Sequence, residues 1–492
     1  MAGLTFTTPS VPFSFKKFNG GLNTTSGPLG LEDNESSDLQ NIDFDKFGSF
    51  GKRNGYTALN TSAIEASQRI NGLYWFMTPT LRKPVCACNT KIYRMDSLDG
   101  TWDDITGAVT VTAGHRFDYE TFITTCLMTN DYDPPIIWSG AGNCSAMTVP
   151  TGLTRAKFVK KFQNYCLLAN VVVSGVDMPT RFYFSTIKTI DTWDAADFYE
   201  VGKDDGEEIT GFKVLGDRLI VYKTNSIYAV YFNNDADIPF IIQKTSSHVG
   251  CIAPYSIQEV DNGHVFLSYD GIYYFDGNNS HKISNRISET VLGYAKASYV
   301  NAVSMYQKNT NRYWLAFATS SDNDRVITWD TYNNAFSLYV GMAPSAMAIF
   351  LNNGVEERPY FGDYSGFVYR ADVSGTASDY PLNVKTAINA YFWTNWKDYQ
   401  DLCDQKGIAH IYIYHKKETA TLAFAHAYDF NTTDQYSTTF STTNSDDVSS
   451  IITRRDLTGR GKVARFKFAN ATADETFRID GIGTTAHLET HK

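Results

Sequence analysis

A short apolar–aromatic pair recurs along this chain at a fixed interval. Ile92-Tyr93, Ile137-Trp138, Phe182-Tyr183, Ile227-Tyr228 and Ile272-Tyr273 follow one another at 45 residues. Ile327-Thr328-Trp329 comes 55 residues later and Val368-Tyr369 a further 41. A period of this length marks an array of similar supersecondary units, and such units gain stability by covering one another's faces.

The residues between the pairs say what each unit is. In the fourth, 209–214, 218–222, 226–231 and 240–243 read as strands, with Gly216-Asp217 and Thr224-Asn225 as turns. The fifth repeats this with 255–260, 264–268 and 272–275, broken at Asp261-Asn262-Gly263 and Tyr269-Asp270-Gly271. The sixth has 302–306, 313–317, 326–329 and 336–339. Short strands joined by Gly, Asn and Asp turns are hairpin signals. Four of them per period predict the blade of a β-propeller, whose sheet edges are managed by radial packing. The expected fold is therefore all-β: a seven-bladed β-propeller over 60–383. A pair of β-sandwiches is the alternative, and it would space its strands less regularly.

Composition agrees with strands. Aromatics make up 14% of the 492 residues, including 31 Tyr and 32 Phe, side chains that pack well on a pleated surface. The formal charge of −10 argues against tight binding of nucleic acid through phosphate neutralisation, yet would let DNA pass a surface without sticking. The seven cysteines, Cys86, Cys88, Cys126, Cys144, Cys166, Cys251 and Cys403, are odd in number and mostly lie in apolar runs. Free thiols in a reducing compartment explain them better than disulfides. The opening Met1-Ala2-Gly3-Leu4-Thr5-Phe6 has no basic region followed by an apolar stretch, and no run approaches a membrane span. The expectation is a protein made in a cytoplasm that stays soluble.

Two flanks lie outside the repeat. Residues 1–59 are polar and Gly-rich, and read as an extended arm with few apolar anchors that lends one strand to close the ring or lies across a neighbouring subunit. Residues 384–492 read as a separate β-sandwich-like domain with strands at 408–414, 421–428, 462–468 and 476–482, and a long Thr-Ser-Asn-rich loop over 431–450.

Catalytic and metal-binding patterns are weak. His410 and His415 fall on opposite faces of one strand, so with His426 they do not converge as a zinc site requires. Cys86 and Cys88 share a face but lack a second pair. Gly459-Arg460-Gly461-Lys462 lacks the spacing and hydroxyl of a phosphate-binding loop and reads as a basic turn. Ser97-Leu98-Asp99-Gly100-Thr101-Trp102 is similar to a sialidase turn but occurs once. Asn233-Asn234-Asp235-Ala236-Asp237 lacks the bidentate Glu of a calcium loop. No enzyme, cofactor or metal is expected.

The arm carries the most specific pattern. Phe18-Asn19-Gly20-Gly21-Leu22-Asn23-Thr24 is followed by Gly27-Pro28-Leu29, Leu31-Glu32-Asp33-Asn34-Glu35, Asp38-Leu39-Gln40-Asn41-Ile42-Asp43-Phe44, Gly48-Ser49-Phe50 and Lys52-Arg53-Asn54-Gly55-Tyr56. This run resembles the opening of the propeller-bearing nozzle or hub proteins in the tails of short-tailed bacteriophages. The resemblance implies a virion component assembled in the bacterial cytoplasm: a ring, hexameric in the nozzle relatives, below a tail adaptor, with fibres or spikes nearby and double-stranded DNA ejected through its lumen. Asn23, Asp33, Asn34, Glu35, Lys52 and Arg53 are the candidate assembly residues, with Asp33, Asn34 and Glu35 capping a turn or meeting Lys52 and Arg53 across an interface. A propeller that binds or cleaves carbohydrate on the host surface is the alternative function, with Tyr and Trp as stacking platforms.

Overall fold

The computed structural model describes residues 10–235, 237–352, 354–443 and 450–489. The opening hexapeptide, Ala236 of the acidic loop, and residues 444–449 of the Thr-Ser-Asn-rich stretch lie outside them.

The chain is almost wholly β. Seven four-stranded antiparallel sheets follow in sequence, and each of the first six runs its strands in chain order from first to fourth. Their first strands are Ile70–Met77, Asp118–Phe122, Leu153–Phe162, Ile209–Leu215, Gln258–Val260, Val303–Gln307 and Ala346–Asn352. The repeated pairs all fall on the third strand of their sheet: Lys91–Arg94, Ile136–Trp138, Val176–Phe184, Ile227–Phe232, Gly271–Phe275, Asn323–Asp330 and Val368–Val373. Burial explains the periodicity. Ile92, Trp138, Phe182, Ile227, Ile272, Ile327 and Val368 all sit in cores between sheets.

An apolar cluster lies between each neighbouring pair of sheets, and the one between the fifth and sixth is continuous with the core of the outer sheets. The last pair is the seventh sheet with the first, where Phe350, Tyr360 and Val368 meet Ile70, Leu73 and Cys86. The sheets therefore stand in a closed cycle, a β-propeller. The cycle closes because the seventh sheet takes its fourth strand, Gly55–Ala58, from the N-terminal segment. In the fifth unit the predicted first strand at 255–260 is shortened: Pro254, which has no N–H to give a ladder, opens a 3-10 turn at Pro254–Ser256, and pairing begins at Gln258.

Beyond the cycle lie two larger sheets and, among the described residues, two two-stranded ones. A five-stranded sheet orders Leu39–Gln40, Ala390–Trp393, Ala464–Asn470, Thr421–Tyr428 and Tyr436–Ser441. A seven-stranded sheet is built on Gln405–Lys416 and Arg478–Glu489, with Ser10–Phe15, Ile42–Phe44 and Phe50–Lys52 from the N-terminus. The two face each other across aromatic rings; Phe50 stacks on Phe392 with centroids 4.3 Å apart.

Two expectations are corrected. The N-terminal segment is not short of apolar anchors: Phe15, Phe18, Leu22, Leu31, Leu39, Ile42, Phe44 and Phe50 are all buried. Strand pairing accordingly crosses both expected boundaries, at 59/60 and 383/384. The stretch 431–450 is not all loop. Tyr436–Ser441 pairs with Thr421–Tyr428, and Phe440, opposite Leu422, is its one buried side chain. An edge strand with a single inward residue tolerates Ser and Thr elsewhere, which makes it look like a loop.

Candidate functional site: the N-terminal clasp

The arm ties the β units together through polar contacts, and most of the candidate residues lie in them. Gly21–Leu22 and Glu35–Ser36 form a short parallel bridge. Between them Asn23 makes a turn, its Oδ1 accepting from the Thr25 and Ser26 N–H groups at 3.2 and 3.0 Å. Its Nδ2 donates to Glu35 Oε2 at 2.9 Å. Glu35 is 3% exposed; it also accepts from the Glu32 N–H at 3.0 Å and pairs with Arg286 Nε at 3.2 Å. The Thr24 N–H reaches Arg286 O at 2.8 Å, and the Thr24 hydroxyl meets that of Thr290 at 2.9 Å. The most specific stretch of the sequence is thus a loop seated on the segment that follows the fifth sheet.

Asp33 reaches the C-terminal part, whereas Asn34 acts locally. Asp33 pairs with Lys397, and the Asn34 carbonyl accepts from the Gly20 N–H at 2.8 Å. Within the chain neither Lys52 nor Arg53 lies against these acids. Lys52 Nζ donates to Asn470 Oδ1 and Thr472 O, both at 2.9 Å. Burial, with Arg53 next to it, lowers its ammonium to about 8.

Arg53 is the centre of the clasp. Nε donates to Asn41 Oδ1 at 2.9 Å, Nη1 to Asn54 O and Asp379 Oδ1 at 2.9 Å each, and Nη2 to Val340 O at 3.2 Å and Asp379 Oδ2 at 2.6 Å. All five guanidinium N–H groups are therefore used. The group also lies over the Tyr339 ring at 5.4 Å. Burial opposes its charge, but the Asp379 carboxylate outweighs burial and holds the guanidinium above its ordinary range.

Three residues outside the candidate assembly set complete the site. Asn41, at φ 55°, turns the chain between two short strands; its N–H donates to Leu338 O at 2.8 Å, and its Oδ1 accepts from the Val340 N–H at 2.9 Å. Asp43 is half-buried, accepts from Tyr339 and meets Arg312 Nη1 at 3.3 Å; desolvation raises its carboxyl. Asp379 follows the seventh sheet. The alternation Asn41-Ile42-Asp43-Phe44 was the signal for the first two, because it puts two polar side chains on the face opposite two buried ones.

The other motif residues are structural. His410 Nδ1 lies 3.2 Å from Asp456, the buried His415 bonds Thr453 Oγ1 at 2.8 Å, and His426 bonds Thr458 O at 2.7 Å. Asp99 caps its own turn through the Thr101 N–H at 2.9 Å. Gly461 lies in a two-residue strand pairing with Lys406. Among the described residues no group of three His, Cys, Asp or Glu is placed to hold a metal, and no helix is long and apolar enough to cross a membrane.

Fold and clasp define a class: an all-β propeller protein whose N-terminus closes the ring and joins it to further sheets. No family model and no curated protein matches the chain. Among solved structures it is similar to YCF48 bound to D1 peptide, at 10% identity and TM-score 0.44 over 68% of this chain and 100% of that one. It is similar also to BamB from Moraxella catarrhalis, at 12% identity and TM-score 0.39 over 62% of this chain and 85% of that one. The computationally designed Ika8 protein gives 11% identity and TM-score 0.39 over 64% and 99%. Likenesses this distant add nothing to what the sheet topology shows.

Proposed function

We propose that this chain is a structural subunit of a bacteriophage tail, a nozzle or hub protein that assembles into a homo-oligomeric ring, hexameric by resemblance, through which DNA leaves the virion. In this reading the seven sheets are the blades of a seven-bladed propeller, and the two further sheets are a β-sandwich-like domain rigidly attached to it. A tail adaptor is the expected partner above the ring, with fibres or spikes beside it.

The observation that carries the reading is the coincidence of motif and joint. The residues that resemble the tail family, Asn23, Glu35, Asn41, Lys52 and Arg53 among them, are those that lock the N-terminal segment to both β units. A conduit under load needs such rigidity more than it needs an active site. Phe47 and Tyr332, 72% and 66% exposed on turns linked by Asn333 Nδ2 donating to Asp45 O at 3.4 Å, offer apolar contact to a neighbouring subunit. The propeller's own hub cavity, about 270 Å³, is too small for a duplex, so a DNA path runs between subunits.

Mass photometry of the purified chain, with and without the adaptor, tests this. A discrete ring is expected, and a strict monomer at micromolar concentration in both samples rejects it.

One observation favours carbohydrate recognition as a second reading. Tyr412 and Tyr414, 39% and 44% exposed on one face of the seven-stranded sheet, stand opposite Gly483 and Gly481, which leave the floor beside the rings open. Glycan-array binding lost in a Tyr412→Ala/Tyr414→Ala variant would support it.

A further inference from the structure

The first strands of the seven sheets enclose a cavity of about 270 Å³ at the hub of the propeller, and its charged lining is unbalanced. Arg116, Lys160 and Lys213 line it against Asp118 and Glu120. Lys160 Nζ pairs with Glu120 Oε2 at 2.5 Å. Asp118 Oδ2 accepts from the Val159 N–H at 3.0 Å. The Lys213 side chain makes no hydrogen bond and no ion pair among the described residues. It has Asp118, Glu120 and the exposed Glu259 on one side of the balance and Lys160 on the other. Burial and Lys160 together lower its ammonium.

At the end where the first strands begin, the excess positive charge continues. Arg116 donates to Ser345 O and, at 2.9 Å, to Asn301 O, and lies 5.6 Å from the Tyr255 ring centroid. Arg69 donates to Asn71 Oδ1 at 2.9 Å and Gly114 O at 2.5 Å. Neither meets a carboxylate among the described residues. Carbonyl and amide oxygens accept from these groups but leave the charge, and Arg116 Nε is buried with no hydrogen-bond partner among the described residues. Burial and the nearby Arg69 lower Arg116 to about 10. A chain with net charge −10 thus lines its hub with three cations, Arg116, Lys160 and Lys213, against two acids, and Arg69 adds a fourth cation beside Arg116 outside the lining. Desolvated cations without counter-charge are costly, and a low-dielectric cleft focuses their field on any anion that enters.

We propose that the hub cavity binds a small oxyanion, the phosphate or carboxylate group of a ligand that fits this volume, with Lys213 as its direct partner and Arg116 and Arg69 supplying the field at the mouth. The site stands apart from the tail assignment and needs no oligomer.

Isothermal titration of the full chain with inorganic phosphate, and separately with acetate, at low ionic strength and neutral pH tests the proposal. Saturable binding of one anion per chain is expected for at least one of the two, and which one binds identifies the ligand's acidic group. Lys213→Met should weaken it by about tenfold or more. Lys203→Met, on the exposed surface, should leave it unchanged. If the Lys213 variant does not fold, Arg69→Gln carries the test, with an expected loss of severalfold. Absence of saturable binding with both anions, or affinity unchanged in the folded Lys213 or Arg69 variant, overturns the proposal.

Discussion

Arg53 and Asp379 meet in a two-pronged ion pair, Nη1 to Oδ1 at 2.9 Å and Nη2 to Oδ2 at 2.6 Å, with both side chains at most 5% exposed. The pair spans the propeller's seam: Arg53 lies two residues before the closing strand Gly55–Ala58, and Asp379 follows the seventh sheet that this strand completes. The same guanidinium holds Val340 O at the outer strand of the sixth sheet.

Removing one partner should therefore be expensive. Arg53→Met leaves a buried carboxylate uncompensated and should lower unfolding stability by about 3–5 kcal/mol. Arg53→Met/Asp379→Leu should regain most of that loss, because no charge is then stranded. Urea denaturation of the three proteins checks both statements. A loss below about 1 kcal/mol in the single variant, the range of exposed pairs, would show that the pair does not hold the seam.

Gly55 should resist any side chain. A Cβ there would lie 1.8 Å from Ser378 O and 2.6 Å from its carbonyl carbon, so Gly55→Ala must push the closing strand off the segment behind it. A destabilisation of more than about 3 kcal/mol, with faster proteolysis of the N-terminal segment, is expected. Gly216→Ala is the control. That turn has open space around it and φ of +61°, so the cost is only the roughly 1–2 kcal/mol of a left-handed alanine.

The C-terminal part should not fold alone. Both of its sheets take strands from the N-terminal segment: Leu39–Gln40 in one, and Ser10–Phe15, Ile42–Phe44 and Phe50–Lys52 in the other. Each buried Phe or Leu they bring contributes roughly 1.5–3 kcal/mol. A 384–492 fragment should give poorly dispersed amide resonances, and adding a 10–54 peptide should restore dispersion. A well-dispersed spectrum from the fragment alone would refute this.

Acid should loosen the contact between the fourth and fifth sheets. His264, fully buried, accepts from the Tyr222 hydroxyl at Nδ1, 2.9 Å away, and its Nε2–H donates to Val214 O at 3.1 Å, a pattern that needs the neutral ring. Burial, with Lys213 nearby, depresses it from 6.5 to about 4. Between these values the unfolded chain binds the extra proton, so this contribution to stability is complete above about pH 6.5 and declines as pH falls toward 4, by at most roughly 3 kcal/mol. His264→Gln should flatten the difference in urea midpoint between pH 7 and pH 4.5. An equally steep decline in that variant would assign the acid sensitivity to other groups.

The repeat was legible in the sequence because each unit's apolar residues serve the unit itself and its immediate neighbours. Ile227-Tyr228 and Ile272-Tyr273 sit on third strands whose partners lie a few residues away across tight turns, so local patterning suffices to place them. The residue types needed for a clasp were visible too, since Lys52 and Arg53 stand out in a polar segment. What they grip was not. Arg53 finds Asp379 after 326 residues, Lys52 finds Asn470 after 418, and Ser10–Phe15 pairs with Arg478–Glu489 at the other end of the chain. The anchors of the N-terminal segment are single residues between Gly and Asn turns, and isolated anchors have no period to read. Their partners exist only once the ring has closed and brought the two ends of the chain to the same place. Local hydrophobic repetition therefore determined the propeller, and only tertiary proximity decided that its N-terminus would be both seam and joint.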